Sequence, residues 1–423
     1  MSALVLAVPW TVGGLVLAQA TGGDDTPWWL FATIPLVAGT IGWGTNWLAV
    51  RMTFWPLEFV GIPPYLGWQG IIPSRARKMA SIATDSSITK LGSMSDVMRQ
   101  MEPEKIAAHV LESARPRIPA LVDEIANEKY ARIWDATPPA VKDAVYDRAQ
   151  NLLPRALDGL VDDMTENIDQ ILDMRLMVID QLSKDKRLLN RIFLEAGERE
   201  FKFLVTSGFW FGALLGVPQM IAQILFPGPW VLPVAGLLVG YITNWLALTM
   251  IFEPIEPRRI GPYVLQGLML KRQDEISAYF ADTASREMLT IRNFVERMLT
   301  GPKSDRAIAL VRRHLEPTVD EAMGIARRAV TLAVGSAEIA DVKQRLTTRA
   351  LDLALDPFDD EAFVASRAEL VRQEMYEKLL DMEPLEFTDL LRPTVKEDEW
   401  KLIAVGAVLG GLAGLMQSIF VFT

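Results

Sequence analysis

Five stretches of the chain run without a charged side chain for about the length of a membrane span: Ala3–Ala20, Trp28–Val50, Phe203–Phe226, Trp230–Phe252 and Leu402–Phe422. Each reaches or approaches the roughly 20 residues that a helix needs to cross about 30 Å of hydrocarbon. The first is the shortest, holds Pro9 and ends in Ala18-Gln19-Ala20, which resembles a signal-peptidase site. No Lys or Arg precedes it, so it is expected to stay as a span.

Between these runs the apolar period is helical. Ala149, Leu152, Leu153, Ala156, Leu157, Leu160, Val161, Met164, Ile168, Ile171 and Leu172 step by three, one and four, which draws one stripe along a helix. Val311, Leu315, Val319 and Met323 repeat the style, followed by Phe363–Leu380. Breaks are expected at Pro154 and across Asp173–Lys186. No strand-like alternation of any length occurs, so the charged regions are predicted to be elongated helical bundles. The stripes either pack on one another or face lipid; the same apolar face serves both.

The span that begins at Trp28 ends in Thr45-Asn46-Trp47-Leu48-Ala49, and the span that begins at Trp230 ends in Thr243-Asn244-Trp245-Leu246-Ala247. The echo continues in order. Pro64-Tyr65 answers Pro262-Tyr263, Gln69-Gly70 answers Gln266-Gly267, and Arg75 answers Arg272. Glu200-Phe201-Lys202 resembles Glu399-Trp400-Lys401, and Gly208, Gly212 and Gly216 match Gly406, Gly410 and Gly414, followed by Gln219 and Gln417. An ordered series of this kind is an internal duplication. Each unit reads as an inward span ending in TNWLA, a Pro/Gly-rich connector, a helical region and a return span with GxxxGxxxG. Both units enter in the same direction, which makes them parallel repeats. The fold class expected is an all-α membrane protein of about five spans. Its parts are a membrane hairpin (1–55), a helical region (56–200), a central hairpin (201–252), a second helical region (253–400) and a last span (401–423).

Charge sets the orientation. All 43 Lys and Arg lie in Arg51–Lys202 and Arg258–Lys401, and none lies in the connections Thr21–Pro27 and Pro227–Pro229. Basic flanks favour the cytoplasmic side, so both helical regions are expected there, with the N-terminus inside and the C-terminus outside. The chain has 53 Asp and Glu against 43 Lys and Arg, and this net charge of −10 argues against nucleic acid as a partner. At 50% hydrophobic and 23% charged, with a mean hydropathy of +0.18, it fits spans joined to sizeable polar parts.

The candidate chemistry is sparse. Cysteine is absent, and the two histidines, His109 and His314, lie in charged helical stretches with no nucleophile placed beside them. No phosphate loop, nucleophile elbow or HExxH motif occurs, so neither metal nor cofactor is expected. Asn46 and Asn244 stand among apolar residues, where an unsatisfied amide costs a few kcal/mol. Together with Thr45, Thr243, Gln219 and Gln417 they form a candidate polar layer in the membrane. It is either a set of structural hydrogen bonds or one site for a lipid headgroup. The glycines at 208, 212, 216, 406, 410 and 414 are candidate helix contacts. Gln69, Gly70, Pro73, Arg75, Gln266, Gly267 and Arg272 mark the connectors.

These motifs resemble the bacterial domain-of-unknown-function 445 family of membrane proteins. The TNWLA span leading into a Pro-rich connector, Gly70-Ile71-Ile72-Pro73-Ser74-Arg75, and the GxxxGxxxG span followed by Gln carry the resemblance. The second connector, Gly267 to Arg272, lacks the proline, and its turn is expected to be looser. The resemblance implies a multi-pass protein of the bacterial inner membrane and supplies no established activity. The function expected is a non-catalytic, membrane-anchored helical scaffold that binds or handles lipid. Membrane lipids, a second copy of the chain or other membrane proteins are its expected partners. The alternatives are a transporter or channel subunit and an enzyme at the membrane surface; charge-free spans argue against a coupled pump.

Overall fold

The computed structural model describes residues 28–62, 66–81, 84, 93–323, 336–391 and 399–421. The first predicted span, Ala3–Ala20, lies outside them, as do Pro64 and Tyr65. The chain is all-α. In chain order its long helices are α1 (Trp28–Phe54), α2 (Pro103–Ala114), α3 (Ile118–Asp135), α4 (Pro139–Glu166), α5 (Glu198–Leu225), α6 (Val231–Phe252), α7 (Ile291–Thr300), α8 (Ser304–Met323), α9 (Ser336–Asp352), α10 (Glu361–Leu380) and α11 (Glu399–Val421). Two units divide these elements. One comprises 1–86, 182–276 and 382–423, the other 87–181 and 277–381.

The first unit gathers α1, α5, α6 and α11 into a cluster, with α1 lying along α5, α6 along α11, and α5 against α6. Three of the four, α5, α6 and α11, are long and apolar enough to cross a membrane. Their span windows are only 28%, 39% and 33% buried, and Trp210, Leu214, Val234, Leu238, Leu412 and Met416 point outward. Apolar surface on this scale is not left to water. Helix α1 is as long, but its tryptophans, glycines, threonines and Asn46 hold it below that standard of hydropathy.

Pro56 and Pro254 each follow a cis peptide bond just after α1 and α6. Beyond them the connectors fold into short antiparallel hairpins. In the first, β1 (Val60–Ile62) pairs with β2 (Leu66–Trp68); in the second, β3 (Arg258–Ile260) pairs with β4 (Tyr263–Leu265). After Gly70 the chain makes one helical turn, Ile71–Ser74; after Gly267 it makes a tighter 3-10 turn, Leu270–Arg272. The turn that lacks the proline is thus not looser, as expected, but the tighter of the two.

The second unit is a helical bundle. The break expected at Pro154 does not occur, and α4 runs through it for 28 residues. A proline inside a helix forfeits one backbone bond, but packing on both sides of α4, against α2 and α8, outweighs that local loss. The chain first breaks at Asn167, where α4 ends, and after the short helix Ile168–Ile171 the interruption expected across Asp173–Lys186 appears at Asp173 and at Asp185, on either side of the helix Met174–Lys184. Phe294, Ile168 and Leu379 are essentially inaccessible and mark its solid core. Arg367 is drawn inside to pair with Glu102 and to donate to the Met101 carbonyl at 3.3 Å.

Candidate functional site

Two places concentrate the residues that the sequence offers for function: the seams of the four-helix cluster and the interior of the helical bundle.

In the cluster, Asn46 Nδ2 donates to the Leu204 carbonyl at 2.6 Å, and Asn244 Nδ2 donates to the Leu402 carbonyl at 2.8 Å. Each bond joins a TNWLA helix to the helix 158 residues further along the chain. Asn46 is fully buried, and its Oδ1 has no partner. Thr45 and Thr243 turn back on their own helices, to the Gly42 carbonyl at 3.1 Å and the Gly240 carbonyl at 3.3 Å.

The glycine ridges explain how the asparagines reach. A Cβ on Gly212 would stand 2.6 Å from the Ala38 carbonyl oxygen, and one on Gly216 would stand 2.6 Å from Pro35 Cα. A Cβ on Gly208 would stand 2.6 Å from Asn46 Nδ2. Gly406, Gly410 and Gly414 lie equally close to Asn244, Gly236 and Leu232. Both ridges thus face the TNWLA helix that precedes them, backbone against backbone. Their counterparts Gly39, Gly42, Gly236 and Gly240 are part of the seam that the sequence reading missed. The signal was present as glycines three or four residues apart just before each TNWLA.

The single polar layer expected from Asn46, Asn244, Gln219 and Gln417 is two layers. Gln219 stands fifteen residues beyond Leu204 on α5, about 22 Å at 1.5 Å per residue, and Gln417 stands equally far beyond Leu402 on α11. Both glutamines are buried, with Gln219 Oε1 and Gln417 Nε2 unpartnered. With Thr45 and Thr243 they line a void of about 20 Å³ among the four helices, and neither asparagine borders it. That is room for about one water.

At the connectors, Gln69 Nε2 donates to the Leu57 carbonyl at 2.7 Å, and Gln266 Nε2 donates to the Ile255 carbonyl at 3.3 Å. Gly70 and Gly267 sit where a Cβ would strike the backbone of Phe54 and Phe252. Pro73 is buried in its turn, and Arg75 caps it. Arg272 Nη1 holds both oxygens of Glu200, at 2.8 and 2.7 Å, and its Nε reaches Glu275 at 3.0 Å. Glu200 is 4% exposed and Arg272 18%, so this arginine is committed to an internal ion pair rather than to surface chemistry.

The bundle holds the second place. Its helices surround a cavity of about 570 Å³ that opens to solvent. The stripe read on α4 lines it with Ala149, Leu153, Leu157, Leu160, Val161 and Met164; α8 adds Val311, Leu315 and Val319. Both stripes therefore face inward, and although α4 and α8 pack on one another, part of each stripe is left facing a void. The size falls in the range of ligand pockets, about 300 to 1,000 Å³. Arg117 is the one charged side chain among the described lining residues, half exposed and paired with Asp356.

The histidines take structural posts. His109 lies flat on Phe363, with ring centroids 3.8 Å apart, and its Nε2 is 2.7 Å from the Pro357 carbonyl. His314 Nε2 is 2.8 Å from Asp163 Oδ2. Among the described residues no cluster of His, Asp and Glu has the makings of a metal site.

No family model matches the chain. Over 68 residues it is 38% identical to a UPF0754 membrane protein of Exiguobacterium sibiricum, which covers 15% of this chain and 18% of that one. It is 31% identical over 95 residues to a UPF0754 membrane protein of a Cyanothece strain, covering 21% and 23% of the two chains. A UPF0754 membrane protein of Synechococcus elongatus is 36% identical over 89 residues, covering 19% and 22%. The match spans about a fifth of the length of each relative. Apolar helices of spanning length together with these relatives make this chain a membrane protein.

Proposed function

We propose that the protein is a non-catalytic, membrane-anchored helical scaffold that holds lipid inside its helical bundle. The observation that carries this reading is the apolar cavity of about 570 Å³, in a chain that is also anchored among lipids. A membrane supplies alkyl chains at high local concentration, and such chains match an interior built from Ala, Leu, Val, Ile and Met.

The wider reading is a protein of two parallel repeats with five spans, α1 counted among them, both helical regions on the cytoplasmic side of a bacterial inner membrane. The equal spacing of the Asn46–Leu204 and Asn244–Leu402 bonds supports the duplication. So do the twin hairpins after α1 and α6. The basic residues that flank these helices support the orientation. The resemblance to the domain-of-unknown-function 445 family agrees with relatives that are membrane proteins named only for their unknown function.

The test is lipid analysis by mass spectrometry on the full chain purified in mild detergent, beside Leu157→Trp, which puts an indole into the void. Wild type is expected to retain about one tightly held lipid per chain, which the variant loses while keeping its helical circular dichroism. Equal lipid content in the two, with the variant folded, would sink the reading.

A further inference from the structure

We infer that the cavity takes a single-chain, anionic amphiphile, of which a long-chain fatty acid is the simplest, with its carboxylate at Arg117. This rests on the reading that the bundle holds lipid at all. Three features of the second unit carry it.

The first is size. The cavity is nearly four times a roughly 150 Å³ cavity that takes one benzene, so its capacity is on the order of twenty carbon atoms. That accommodates one long alkyl chain.

The second is the chemistry of the wall. Around the alkyl volume the lining is Leu, Val, Ile, Met and Ala from α2, α3, α4, α7, α8 and α9. Ser113, Trp134, Thr137 and Thr318 are its uncharged polar members, and the Trp134 indole N–H is already given to Asp123 at 2.7 Å. Nothing in this wall suits a sugar or a phosphodiester along its length.

The third is the single charge. Arg117 borders the cavity, yet its side chain is 48% exposed, so the guanidinium stands where the apolar volume meets solvent. It pairs there with Asp356, which precedes the lining residues Pro357 and Phe358. A guanidinium has five N–H donors in a planar fork that fits a carboxylate. It holds the Asp356 carboxylate and has donors left for a second. A fatty acid lying in the cavity with its head at the mouth brings that second carboxylate to Arg117. An alcohol of the same length gains nothing comparable.

The experiment uses the full chain in nanodiscs of dioleoyl phosphatidylcholine, with a palmitate carrying a diazirine on its alkyl chain as the photolabel. Peptide mapping is expected to find the label on the segments 149–164 and 311–322. Unlabelled palmitate should compete about fivefold better than hexadecanol, the advantage of one partly exposed ion pair. Arg117→Gln should make the two competitors equal, and Arg117→Lys should restore part of the preference. Asp356→Asn, which removes the competing carboxylate, should increase labelling; it moves the signal opposite to Arg117→Gln and so separates recognition from damage to the fold. If no label reaches these segments, the lipid-holding reading itself falls. If they are labelled but hexadecanol competes as well as palmitate in wild type, the anionic assignment falls alone. Stronger labelling by a diazirine phosphatidylcholine would overturn the single-chain assignment.

Discussion

The sharpest consequence of the glycine seams concerns one substitution made at three places. Gly→Ala inside a helix ordinarily stabilises by about 0.5 to 1 kcal/mol, because glycine has more backbone freedom to lose. Gly44 on α1 meets nothing within 4 Å of the position of an added Cβ, so Gly44→Ala should show that gain. Gly42, two residues earlier, is pressed onto the Gly208 backbone. Across the seam, a Cβ on Gly212 would stand 2.6 Å from the Ala38 carbonyl oxygen and 3.1 Å from Gly39 Cα. Real Cβ contacts are not shorter than 3.0 Å, so α1 and α5 must part by about 0.4 Å, and backbone cannot rotate aside as a side chain would. Overpacking of this kind costs about 1 to 3 kcal/mol. The Gly42→Ala and Gly212→Ala variants should therefore lie roughly 1 to 3 kcal/mol below Gly44→Ala. At about 2 to 4 °C per kcal/mol that separates their midpoints by roughly 2 to 12 °C. The assay is the loss of the monodisperse peak of detergent-purified protein after stepped heating. Gly44→Ala as damaging as Gly42→Ala would refute the seam and leave general glycine tolerance as the explanation.

Four more outcomes are expected. Asn46→Leu should lower the melting midpoint by an amount matching one intramembrane hydrogen bond, about 0.6 to 2 kcal/mol, and the Asn46→Leu/Asn244→Leu pair by about twice that, with bound lipid unchanged; a stable double variant without lipid would falsify the structural role. Arg272→Gln leaves Glu200 buried without its partner, which should cost about 3 to 5 kcal/mol, and adding Glu200→Gln should recover most of it; no recovery in the double variant would mean that packing, not charge, is at stake. The Tyr146 hydroxyl, with the Trp134 N–H, holds Asp123 below its ordinary value of 3.8, so the stability it contributes is complete above about pH 4 and lost as the pH falls through the lower folded value. Burial and Asp123 together push Tyr146 up to about 12, so its share is lost as the pH rises from 10.0 towards that value, and Asp123→Asn should weaken both limbs of a pH–stability curve. Reporter fusions after Lys129 and Arg328 should read cytoplasmic and one within Gly22–Asp25 external; an external reading at Arg328 would overturn five spans.

The sequence by itself determined where the helices are. In hydrocarbon every backbone N–H and C=O must be satisfied within its own segment, so a charge-free run of spanning length can be little else but helix. The stripe on α4 was legible for a similar local reason, since its apolar face follows from the 3.6-residue period alone. Local rules also misled. Pro154 reads as a break and is carried through by contacts on both sides of α4, and Asn46 and Gln219 read as one layer although Gln219 lies fifteen residues, about 22 Å, along α5 from the Leu204 carbonyl that Asn46 reaches. Which helix each glycine ridge meets, and which carbonyl each asparagine reaches, depend on residues 158 positions away and on helix register. The cavity is the clearest case. Leu157 and Leu315 are the same apolar residues whether their helices touch or stand apart, and only the placement of six helices at once leaves the space between them.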